Sequence, residues 1–159
     1  MCIRDRVFSL ALGNTGGQGE PREAIRAIAR GVFDAIDAHP WVNAQLSREP
    51  WSELLQLFED IGHQIQALKV PETAQFDCAS ALVNYILGMA QQNAANARLL
   101  QGNTGRTAFL EAVTARWTEH GPTTYPFVHR IAAQLREHDD REQFLTGIDI
   151  FLAGIETYC

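Results

Sequence analysis

Apolar residues recur at three- and four-residue steps along nearly the whole chain, and strict two-residue alternation is missing, so the pattern predicts helices and no strands. Ile25, Ile28, Ala29, Val32, Phe33 and Ile36 form one apolar stripe, with Arg26, Arg30, Asp34 and Asp37 on the other face. This predicts an amphipathic helix over 22–38. Pro21 sits where a first helical turn accepts proline, and His39-Pro40 ends the helix because the residue before a proline avoids the α region. A short piece at 41–48 precedes Pro50. Trp51, Leu54, Leu55, Phe58, Ile61, Ile65 and Leu68 then mark a helix reaching about 69, and Val70-Pro71 breaks it.

The next helix, 72 to about 101, is the longest. At ~1.5 Å per residue it would run ~44 Å, long enough to line a core along one face and meet a partner along another. Gly102-Asn103-Thr104-Gly105 ends it. Helices follow at 106–119 (Phe109, Val113, Trp117) and at about 125–137 (Phe127, Val128, Ile131, Leu135), separated by Gly121-Pro122. Asp140 and Gln143 have capping-box spacing for a last helix. In it Phe144, Ile148, Phe151, Ile155 and Tyr158 make a 4-3-4-3 seam that Leu145 and Leu152 widen. A stripe of that width can serve an internal core and a partner together. There is no repeat and no low-complexity tract, so residues 20–159 read as one helical domain.

Length and composition fit this reading. The chain has 159 residues, enough for one domain with a real core. With 46% hydrophobic and 20% charged residues the balance is that of an ordinary globular protein. The formal net charge of −6 argues against nucleic-acid binding by this segment itself, since phosphate-gripping domains carry a basic face. Residues 78–97 carry no charge but hold Ser80, Asn84, Gln91, Gln92, Asn93 and Asn96, too polar for a membrane span. The three cysteines (Cys2, Cys78, Cys159) are odd in number and widely spaced, which excludes a disulfide framework or a zinc finger and suits a cytoplasmic protein. Cys78 lies in an apolar helix and reads as an inert core residue.

Candidate chemistry is sparse. The five histidines form no Glu-x-x-His pair of the kind that helical di-metal sites need, and Asp60 with His63 offers a similar step only once. No nucleophile elbow, zinc-helix motif or phosphate loop is present, and the glycines at 13–19 lack a following Lys-Ser or Lys-Thr. No enzyme activity, catalytic residue, metal site or cofactor is therefore expected. Arg22, Arg26 and Arg30 share a face and read as a solvated stripe, with Arg30 pairing to Asp34 at i+4. The more informative feature is polar side chains within an apolar helix: Asn84 and Tyr85 before Gly88, and Gln91, Gln92 and Asn93 after it. A buried polar group needs a partner or a cavity, and apolar walls with a few amides or hydroxyls are the usual form of a small-molecule pocket. Trp51, Leu55 and Phe58 on the preceding helix would supply such walls.

Four stretches in register resemble the C-terminal domain of the TetR family of transcriptional regulators, in its tetracycline-repressor-like branch. They are REAIRAIARGVFDAIDAHPWV, LVNYILGMA with Tyr85 and Gly88, TTYPFVHRIAAQL, and DDREQFLTGIDIFLAGIETY with Phe144, Gly147, Asp149, Leu152 and Gly154. The resemblance implies an all-α, TetR-like helical bundle that senses an effector and dimerises through a four-helix bundle built from the long and last helices. It assigns Leu82, Ile86, Val128, Ile131, Ile148, Phe151, Leu152 and Ile155 to the dimer interface or the core, without separating the two. In such regulators effector binding shifts the sensing domain and releases the operator.

Two departures qualify the resemblance. The family's helix-turn-helix domain would precede the region seen here, so DNA is expected as a partner only through that missing domain. Residues 1–19 read as a truncated or artefactual N-terminus, with a remnant of the connecting helix at 7–12 followed by a loop; Met1 to Arg6 (MCIRDR) resembles a translated sequencing-adapter tag. The positions that hold a drug–magnesium chelate in that branch fall here at Gln45 and Gln92, neutral amides and poor magnesium ligands. A small apolar effector is expected instead, contacted by Gln45, Trp51, Leu55, Phe58, Ile61, Phe76, Val83 and Gln92. A ligand-free helical homodimerisation module is the alternative reading.

Overall fold

A computed structural model of the chain describes residues 19–39, 54–100 and 105–159, with side chains to 98 in the second stretch. The described residues form six α-helices: α1 (Pro21–Ala38), α2 (Leu55–Ala67), α3 (Glu72–Leu100), α4 (Arg106–Glu119), α5 (Pro126–Glu137) and α6 (Asp140–Ile155), the last followed by a 3₁₀ turn, Glu156–Tyr158. No strand occurs among them. The expected connecting-helix remnant, the short piece at 41–48, Gln45 and Trp51 lie outside the described residues.

The helix ends follow from local chemistry. α1 opens on Pro21 and closes at His39, whose N–H donates to the Ala35 carbonyl at 3.0 Å. α2 ends in a Schellman motif. Val70 N–H donates to Ile65 O and Lys69 N–H to Gln66 O, with Lys69 at φ 65° in the left-handed region that glycine usually fills. Buried Val70 and Ile65 complete the motif's apolar contact. Pro71 then starts the turn into α3, where Ala74 N–H bonds its carbonyl at 2.8 Å.

The described residues group into two compact units, one comprising residues up to 94 together with 144–159, the other residues 95–143. In the first unit Ile25, Ile28, Val32 and Ile36 of α1 meet Leu57, Ile61 and Ile65 of α2, Leu82, Val83 and Ile86 of α3, and Phe144, Ile148, Leu152 and Ile155 of α6 in one apolar core. No buried polar or charged residue interrupts that core. Two of the three arginines of the α1 stripe tie α1 to the far end of the chain: Arg22 pairs with Glu156 at 2.6 Å and Arg26 with Asp149. The Asp149 carboxylate raises the Arg26 guanidinium further above its ordinary range. Helical spacing shows only that the three arginines share a face. The tertiary fold brings the acidic residues of α6 and the 3₁₀ turn up to two of them.

In the second unit α5 packs along α4. Its interior is thin: Leu110 and Ala132 are buried, while Val113, Val128, Ile131 and Leu135 are half-buried. A polar cluster closes its end. Arg106 donates to the His138 carbonyl at 3.0 Å and to Asp140 Oδ2 at 2.9 Å, and His138 Nε2 lies 2.9 Å from Asp140 Oδ1.

That cluster corrects the expected cap of α6. Asp139, not Asp140, is the capping side chain, its Oδ1 accepting the Glu142 N–H at 2.9 Å. Asp140 is unavailable because it holds Arg106 and His138. The cap works one residue earlier, on Asp139 and Glu142. The Glu142 N–H, helped by the Arg141 N–H and the Arg106 charge, holds the Asp139 carboxyl below its ordinary value. A depressed carboxylate contributes stability that is present above its unfolded value of about 3.9 and is lost as pH falls through the folded value. The urea midpoint should therefore fall on acidification below about pH 4, and Asp139→Ala should flatten that part of the profile. An unchanged acid limb in the variant would show that the cap does not contribute to it.

Candidate dimerisation groove

α3 and α6 lie side by side in the first unit, and their outer faces form an open groove of about 520 Å³. α3 contributes Asp77, Cys78 and Ala81; α6 contributes Ile150, Phe151, Gly154 and Ile155; the 3₁₀ turn adds Thr157 and Tyr158. Ile150 is 68% exposed and Tyr158 57%, and Phe76, next to Asp77 on α3, is 72% exposed. Isolated exposed apolar side chains are normal, but large exposed ones lining a mainly apolar groove make it a candidate interaction surface. Ala81 and Gly154 keep the groove low enough for another backbone to approach. Burial pushes the Cys78 thiol up, away from the thiolate that would react.

An aromatic array stands behind the groove wall. Phe33 of α1 stacks on Phe144 at a ring separation of 4.6 Å, Phe144 lies 5.8 Å from Tyr85 with the rings parallel, and Tyr85 lies 5.0 Å from Phe151. The Tyr85 hydroxyl donates to the Phe144 carbonyl at 3.1 Å. Burial raises the Tyr85 phenol above its ordinary value, so it remains a donor at neutral pH. Gly147 gives the ring its room: a Cβ there would stand 1.8 Å from the Tyr85 oxygen.

The residues assigned jointly to core or interface now separate. Leu82, Ile86, Ile148 and Leu152 are core; Ile155 is core and also lines the groove; Phe151 is half-buried in the groove wall. Val128 and Ile131 belong to the second unit, half-buried on α5. Of the expected effector contacts, Ile61 and Val83 share the apolar core, with Phe58 half-buried against it. Leu55, 69% exposed, and Phe76 stand at the surface, and Gln92 is exposed on α3. Asp77, Cys78, Ala81, Ile150, Gly154, Thr157 and Tyr158 are groove residues that the apolar spacing did not single out, except Tyr158 in the α6 seam. Ile150 carried the one available signal: it falls off the inward 4-3-4-3 positions yet is large and apolar.

Residues 14–159 match the tetracyclin repressor-like, C-terminal domain. The chain belongs to this family. Its structure is similar, with a TM-score of 0.85 and 44% sequence identity, to that of the transcriptional regulator SCO7222, a TetR from Streptomyces coelicolor. The similarity covers 98% of this chain and 73% of that one. No curated protein matches the chain. The groove-forming helices are thus the long and last helices of a TetR-type regulator domain. Among the described residues no helix is long and apolar enough to cross a membrane, and no group of three His, Cys, Asp or Glu side chains is placed to hold a metal ion.

Proposed function

We propose that this chain is the effector-sensing and dimerisation half of a TetR-like transcriptional repressor, working as a homodimer in which a small apolar ligand releases the DNA-bound state of the intact protein. DNA contact would fall to a helix-turn-helix domain outside these 159 residues, in keeping with the net charge of −6. The observation that carries the reading is the apolar groove between α3 and α6, the two helices that would pair in a four-helix bundle with a second copy. A second copy related by a two-fold axis would lay the same helices across it, the self-complementary contact of a C2 dimer. The effector would enter the apolar region around Phe58, Ile61 and Val83. Coupling to DNA would then be a difference in ligand affinity between two arrangements of the dimer.

Sedimentation equilibrium at micromolar concentration should give twice the chain mass. Ile150→Glu would bury an unpaired carboxylate in the contact and cost about 4 kcal/mol, roughly a thousandfold in dissociation constant. A monomeric mass for the unaltered protein across this range would overturn the dimer reading.

A further inference from the structure

Tyr85 does not line the groove, yet three observations connect it to the groove's shape. Its ring touches Phe151, the half-buried aromatic of the groove wall. Its hydroxyl is anchored on the Phe144 carbonyl of the same helix that carries Phe151. Its tip sits over Gly147, where no Cβ intervenes. The Tyr85 ring is thus held both at its face, by Phe144 and Phe151, and at its tip. Phe151 has the opposite character. One side of it faces the open groove, so only its packing on Tyr85 and the core fixes where it stands.

We propose that Tyr85 is a positioning residue for the dimerisation groove, holding Phe151 in the groove wall through a hydroxyl anchored on Phe144 and seated over Gly147. The inference rests on the reading of the groove as the dimer face. Close-packed interfaces transmit sub-ångström shifts as lost contacts. A Phe151 ring free to drop toward the core would leave the partner's matching side chain over a void.

The test is Tyr85→Phe, which keeps the ring and removes only the anchor. The bond lies within one chain, so its loss reaches the dimer constant only through the position of Phe151, and dimerisation should weaken by up to about fivefold. In a Phe151→Leu background the same change should alter the dissociation constant less than about twofold, because the side chain it positions is gone. An unchanged dimer constant in Tyr85→Phe, or an equal loss in both backgrounds, would show that Tyr85 only fills space and overturn the proposal. Aromatic NMR of the monomer made by Ile150→Glu separates this from a failure of the dimer reading. There Tyr85→Phe should move the Phe151 ring resonances. Unmoved resonances overturn the positioning role whatever the oligomeric state.

Discussion

Phe144→Ala is expected to lower the unfolding free energy by about 3–5 kcal/mol, the range for deleting a buried phenylalanine. Phe144 is fully buried and is among the largest side chains of the core. Its ring packs against both Phe33 and Tyr85, so its removal leaves a void between two aromatic neighbours. Stacked pairs contribute about 0.5–1.5 kcal/mol beyond area burial, which places the cost toward the upper end. Against a total stability of about 5–15 kcal/mol this loss leaves a marginal fold. Urea unfolding at fixed protein concentration reads it directly, the concentration being held because a dimer's apparent stability depends on it. A loss under about 1 kcal/mol would mean that the site collapses and that the array is not a rigid part of the core.

Gly147→Ala tests which of two opposed effects wins. Helix propensity alone predicts a gain of about 1 kcal/mol, since glycine is a poor helix former in a helix interior. Packing predicts the reverse. The new Cβ would stand 1.8 Å from the Tyr85 oxygen and 2.3 Å from its Cζ. The atoms it meets belong to a rigid ring hemmed in by Phe144 and Phe151, and the hydroxyl anchor on Phe144 would be lost with the displacement. Overpacking of this kind costs about 1–3 kcal/mol net. The expected sign is therefore destabilising. Combining Gly147→Ala with Tyr85→Leu should cost less than the two single changes added together, because the shorter side chain removes the clash. Gly88→Ala, at a helical glycine with nothing within 4 Å of its Cβ position, is the contrast and should stabilise by about 0.5–1 kcal/mol. A stabilising Gly147→Ala would show that Tyr85 swings aside freely, and the positioning role would fall with it.

Much of the architecture was legible because it is written in local terms. The bounds expected for α1, α3, α4 and α5 agree with those observed to within a residue, since proline, glycine and apolar spacing act over one or two turns. The last helix was legible in extent but not in its cap. Asp139 and Asp140 are both good capping residues, and only the approach of Arg106 to Asp140 decides between them. The α6 seam shows the same limit. Phe144, Ile148, Phe151, Ile155 and Tyr158 share one helical spacing, yet the structure turns Phe144 and Ile148 wholly inward, leaves Phe151 in a groove wall and exposes Tyr158. Leu55 and Phe76 lie on apolar helices and were reasonable pocket residues, but both stand at the surface.

The sequence by itself therefore determined the helical class, most of the helix ends and the family, because these depend on neighbours a few residues apart and on motifs read in order. The tertiary structure decided which apolar face looks inward, which forms the groove, and why Gly147 must lack a side chain. Helical periodicity says that residues share a face; it carries no information about what that face meets. Tyr85 and Gly147 are 62 positions apart in the chain, and only the packing of α3 on α6 brings one hydroxyl over one missing Cβ.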